Sequence, residues 1–107
     1  MIQLHVITKG TEMVTNITEF LLNNNLVIGL TVRDSKSSYK NKSEQIEVLK
    51  TSLLIGITKA NLFNTIERLL NDKYHENILE IYAMPIVNMD FRHLNKLSSD
   101  STVLIEK

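Results

Sequence analysis

The sequence predicts an α+β domain in which two helices cover one face of an antiparallel sheet. Two observations carry this reading. Apolar residues recur at helical spacing around Met13–Leu21 and Leu62–Leu70, and each stretch lies between short aliphatic, β-branched runs that read as strands. The third observation is size: 107 residues, 43% hydrophobic, are enough for a single domain (1–107) to bury a core without staples.

Ile2 to Thr8 alternates, with Ile2, Leu4 and Val6 on one face, and reads as the first strand. Gly10 breaks it and Thr11 is the expected N-cap of the first helix, whose stripe is Met13, Val14, Ile17, Phe20 and Leu21. The Asn23-Asn24-Asn25 triplet ends that helix, because Asn tolerates the left-handed conformation that stops helices. Leu26 to Val32 is expected as the second strand, and the polar stretch Arg33 to Ser43 as a loop or hairpin tip. A third strand runs from about Glu44 to Ile57. Ile46 and Val48 share one parity there and Leu49, Leu53, Ile55 and Ile57 the other, which implies a bulge or bend near Val48–Thr51. Thr58 is the expected cap of the second helix, with its stripe at Leu62, Phe63, Ile66, Leu69 and Leu70 and an exit loop over Asp72–Asn77. Ile78 to Val87 is apolar on both parities apart from Glu80, as a central strand covered on both faces would be, and Pro85 marks its end or a bulge. A short helix with Phe91, Leu94 and Leu97 on one side and a strand at Thr102–Ile105 follow.

The order β-α-β-β-α-β, with a short C-terminal helix and strand, is that of a ferredoxin-like sandwich. Both helices then lie on one face, yet the third and fourth strands carry apolar residues toward the other. Soluble proteins seldom leave such a face bare, so a homo-oligomer whose sheets pack together is expected.

Twelve basic residues balance twelve acidic ones, which argues against a general nucleic-acid or anionic-membrane binder. The absence of Cys excludes disulfides, thiolate metal sites and Cys nucleophiles. The N-terminus lacks the pattern of a signal peptide and no apolar run approaches a membrane span, so a cytoplasmic location is expected. Gly10, Gly29 and Gly56 are isolated, so there is no phosphate loop; no Ser sits in a nucleophile elbow, and no enzymatic motif is present.

His5, His75 and His93 are the only imidazoles, and none has a zinc-type partner at helical spacing. His5 and His93 read as solvated or hydrogen-bonded histidines. Tyr74-His75-Glu76 and Glu80 gather ionisable groups where a helix returns to a strand, either as part of a divalent-ion site or as an ordinary polar loop. Glu80 interrupts an apolar strand, where an unpaired carboxylate is costly. It either faces a Lys or Arg or lines a polar pocket; Lys50 is one counter-charge, unless it is an edge-strand Lys that discourages aggregation.

From Leu26 onward the chain resembles the CutA family of divalent-cation tolerance proteins, relatives of the PII-like signalling trimers. Asn25-Leu26-Val27-Ile28-Gly29-Leu30 is similar to the family's strand entry, "Leu-Ala-Ala-Cys". Tyr39 to Glu44 stands where the family has an aromatic, Gly-Lys hairpin tip. The segment from Tyr74 to Ile86 resembles "His-Pro-Tyr-Glu-x-Pro-Glu-Ile-x-x-x-Pro-Val", and Asp90 to Leu94 resembles "Asp-Tyr-Leu-x-Trp". Glu80 and Pro85 carry over cleanly. The family's Cys falls on Gly29, its Lys-Thr on Ile57-Thr58, its Trp on Leu94 and its His on Tyr74, with His75 displaced by one. The resemblance implies a non-enzymatic homotrimer with clefts between subunits for a small ligand or a divalent cation, copper or zinc. Tyr39, His75 and Glu80 are then the candidate ligand-binding residues, and His75 and Glu80 the candidate metal ligands. Two other readings use the same fold: a dimeric, cofactor-independent monooxygenase with an apolar pocket inside each subunit, and a regulatory module of ACT or PII type.

Overall fold

The structure, a computed structural model, describes residues 1–87; His93, the short helix expected at Phe91–Leu97 and the strand expected at Thr102–Ile105 lie outside the described residues. The described elements are β1 (Ile2–Lys9), α1 (Val14–Asn23), β2 (Leu30–Lys40), β3 (Ile46–Thr58), α2 (Phe63–Tyr74) and β4 (Ile78–Pro85). The four strands form one sheet in the order β2-β3-β1-β4, antiparallel throughout. This is the ferredoxin-like α+β arrangement predicted from the element order.

The core lies between the sheet and both helices. Leu4 and Val6 from β1 and Leu54 from β3 meet Ile17, Phe20 and Leu21 of α1 and Ile66, Leu69 and Leu70 of α2. The same alternation that sends Leu4, Val6, Ser52 and Leu54 to the helices sends His5, Ile7, Leu53 and Ile55 to the helix-free face.

The second strand lies elsewhere than its apolar run suggests. Leu26 to Gly29 is not strand: Leu26 and Val27 are buried and plug one end of the core. Ile28 N–H donates to the Ile57 carbonyl at 2.9 Å, and the Thr58 hydroxyl donates to the Leu26 carbonyl at 2.6 Å. Strand pairing begins at Leu30 and continues through the polar residues to Lys40 opposite Ile46, so most of the expected loop is a long hairpin arm. Its polarity follows from its position: the arm extends past both helices, where neither face needs apolar side chains.

That position also removes the bulge expected in β3, whose register against β2 is unbroken. Ile46 and Val48 share the helix-side parity of Leu54 but lie beyond the helices, 72% and 61% exposed. The apparent phase change is a change of cover, not of face.

A register shift occurs instead in β4. Ile7 pairs with Glu80 and Thr8 with Ile78, leaving Leu79 as an extra residue. Ile78 and Ile81 lie an odd number of residues apart, so a regular strand would point them to opposite faces. The extra residue allows both to pack against the core. This accounts for the apolar residues on both parities of β4, which is not central: it pairs only with β1 among the described residues. Pro85 closes the strand, as expected.

The expected helix caps are also corrected. α1 begins after Met13, with Thr11 supplying a backbone carbonyl to Val14 and no side-chain cap. Thr58 is the last residue of β3, and a 3-10 turn over Ala60–Leu62 leads into α2. α2 itself continues to Tyr74, whose ring packs edge-on against Phe20, so the exit loop shortens to three residues before β4.

Candidate functional site

The helix-free face of the sheet carries the densest combination of apolar surface and polar groups. β3 contributes the half-buried Leu49, Leu53, Ile55 and Ile57; β1 contributes Gln3, His5 and Ile7 opposite them. β4 adds Glu80, Tyr82 and Met84, opposite Ile7, His5 and Gln3 respectively. β2 adds Arg33, Ser35, Ser37 and Tyr39 from the hairpin arm.

Tyr39 and Glu80, two of the three candidate residues, meet on this face. The Tyr39 hydroxyl donates to Glu80 Oε2 at 3.1 Å, although β2 and β4 are the outermost strands of the described sheet. A flat sheet could not bring them together. The twist of the long hairpin swings its end across the face until Tyr39, close to the tip, reaches Glu80 beside the β4 bulge. Partial desolvation, together with the Glu80 carboxylate that accepts its proton, holds the Tyr39 phenol above its ordinary pKa. Behind Tyr39, the Thr51 hydroxyl joins those of Ser35 (2.7 Å) and Ser37 (3.1 Å), fixing the arm to β3.

Glu80 is exposed, so water solvates its carboxylate alongside the Tyr39 phenol, and the burial cost expected for it in an apolar strand does not arise. No Lys or Arg of the described residues forms an ion pair with it. Within one chain, parity separates Lys50 from Glu80: Lys50 pairs with Lys36 and points to the helix side, whereas Glu80 faces the other way. Lys50 lies one residue past the last β1–β3 pair, at the foot of the arm, where β3 pairs with β2 alone, which agrees with its reading as an edge lysine.

His75 stands apart. It follows α2, its side chain is 69% exposed, and its Nε2 lies 3.9 Å from Glu76 Oε2. Among the described residues no group of three or more His, Cys, Asp or Glu is arranged to hold a metal ion. Within one chain, His75 and Glu80 therefore do not provide the donor set a divalent copper or zinc ion requires.

His5, which the sequence offers as a solvated or hydrogen-bonded histidine, is hydrogen-bonded and occupies the middle of this face. It is only 8% exposed, its Nε2 is 2.7 Å from Gln3 Oε1, and its ring stacks on Tyr82 at 4.8 Å. Its Nδ1 is buried without a hydrogen-bond partner. The alternation of β1 gave its face, but only the pairing of β1 with β4 places Tyr82 beside it.

No protein-family model and no curated protein matches the sequence. Solved structures match the fold. The divalent cation tolerance protein CutA1 of Thermus thermophilus superposes with a TM-score of 0.75 at 19% identity, over 91% of this chain and 95% of that one. CutA of Archaeoglobus fulgidus, described as periplasmic, gives 0.76 at 20% identity, over 97% and 100%. CutA1 of Oryza sativa gives 0.75 at 18%, over 90% and 88%. The chain shares the CutA fold along nearly its whole length. No helix among the described residues is long and apolar enough to cross a membrane.

Proposed function

We propose that this chain is a divergent CutA-like protein: a non-enzymatic, single-domain homotrimer that binds a small ligand in the clefts between its subunits. The observation that carries the proposal is the helix-free sheet face, where Leu49, Leu53, Ile55 and Ile57 line up with no helix to cover them. Such a row calls for a second protein surface, and the fold is one found in proteins named for divalent cation tolerance. Tyr39 and Glu80 border that face and would line the cleft, with Glu80 as acceptor and Tyr39 as its positioned donor.

No metal step enters this reading, since the described donors do not assemble a metal site within the chain. The monooxygenase reading has less support: the groove of about 510 Å³ at the foot of the hairpin arm is bordered by the charged side chains Asp34, Lys36 and Lys50. The cytoplasmic location belongs to the proposal and is checked by cell fractionation.

Sedimentation equilibrium tests the assembly. The intact chain should run at three times the monomer mass, and Leu53→Lys, which places a charge in the apolar row, should shift it toward monomer while circular dichroism stays unchanged. A wild-type chain that remains monomeric at micromolar concentration, or a dimer insensitive to Leu53→Lys, would defeat the proposal.

A further inference from the structure

We propose that the groove between the β1–α1 turn and the foot of the hairpin arm is an anion site, built to take the phosphate of a small phosphomonoester. The groove, about 510 Å³, is bordered by Gly10 and Thr11 on one side and by Asp34, Lys36 and Lys50 on the other. It lies on the helix side of the sheet, across the arm from the Tyr39–Glu80 face.

The β2–β3 register sets Lys36 directly opposite Lys50. Directly opposed residues share a face with Cβ atoms about 5 Å apart, and like charges in that position repel. Neither ammonium group has a compensating partner among the described residues: the ion pairs there are Lys40–Glu44 and His75–Glu76, and no side-chain hydrogen bond involves either lysine. Both lysines sit at the foot of the two-stranded arm, just past the last β1–β3 pair at Lys9 and Thr51, where the groove opens beside them.

An anion between the two lysines turns the repulsion into attraction, since each ammonium can then donate a charge-assisted hydrogen bond to a phosphate oxygen. The volume is in the range of small-molecule sites and exceeds what a bare phosphate fills. Asp34 lies two residues before Lys36 on the same face of β2 and also lines the groove. Its carboxylate repels a second anionic group and accepts a hydrogen bond from a hydroxyl. The chemistry therefore selects one phosphate with a neutral, hydroxyl-bearing tail.

Backbone amide chemical shifts of the intact chain, titrated with inorganic phosphate and with glycerol 3-phosphate at constant ionic strength, test the site. Saturable shifts at Gly10, Thr11, Lys36 and Lys50 are expected, at lower concentration for glycerol 3-phosphate. They should vanish in Lys36→Gln/Lys50→Gln and persist in Lys40→Gln/Lys42→Gln, a control near the hairpin tip that also removes two positive charges. Without ligand, the double variant should be at least as stable as wild type, because the facing charges are gone. No saturable shift, the same shifts with chloride at matched ionic strength, or undiminished binding by the double variant would overturn the assignment.

Discussion

At the scale of single residues, the glycines give a test with opposite signs. A Cβ on Gly56 would meet the Gly29 carbonyl oxygen and Leu30 Cδ2 at 3.0 Å and Val27 Cγ1 at 3.2 Å. Gly56→Ala should therefore cost about 1–3 kcal/mol, read from the urea midpoint. A Cβ on Gly29 would meet nothing within 4 Å, and its φ is not in the left-handed region. Gly29→Ala should leave stability unchanged or raise it by about 0.4–1 kcal/mol, through the entropy of the unfolded chain. At Gly29, where the resemblance sets the CutA family's Cys, a side chain would find open space. Thr58→Val removes the donor to the buried Leu26 carbonyl at constant shape and should cost about 1–3 kcal/mol. Calorimetric titration with copper or zinc should give the same isotherm for wild type and His75→Ala, because among the described residues His75 has Glu76 as its one ion-pair partner and no wider donor cluster around it.

Elements show where the sequence is legible and where it is not. α1, α2 and β1 were readable because each meets the core along one face, so burial writes its period into the residues. The hairpin arm is not readable as strand, since its half-buried face carries Ser35, Ser37 and Tyr39, so its alternation is not written in hydrophobicity and its strand identity resides in pairing with β3. Leu26–Gly29 misled for the converse reason: buried and apolar, it bonds at single points instead of along a ladder. The β4 bulge could be sensed as apolar residues on both parities, but assigning it to Leu79 required the register against β1. Among the site residues, Glu80 stood out as the lone carboxylate in an apolar strand. Tyr39 was named by resemblance, and its contact with Glu80 depends on a twist that no local pattern records. The turn at the arm's tip offers a further test. Glu44 has φ +64, a conformation that favours glycine. Its ion pair with Lys40, at 3.8 Å, is exposed and worth little. Glu44→Gly should stabilise the chain by on the order of 1 kcal/mol in urea unfolding.

For the molecule as a whole, the Tyr39–Glu80 hydrogen bond couples shape to alkaline pH. The folded-state pKa of Tyr39 is raised, so its stabilising contribution is complete below the unfolded value of about 10 and is lost as the pH climbs through the raised folded value. Wild type should lose stability in that alkaline window by more than Tyr39→Phe does, measured as unfolding midpoints across the range, with tyrosinate absorbance marking the titration. The same bond has a kinetic meaning for assembly. The Tyr39 hydroxyl ties the end of the arm to the far strand within one chain, so part of the arm's freedom is given up before a second copy arrives. Preorganisation of this kind lowers the entropy cost of association. If the chain associates as proposed, removing the hydroxyl would show first as slower gathering of dilute chains, before any change in the contacts they finally make.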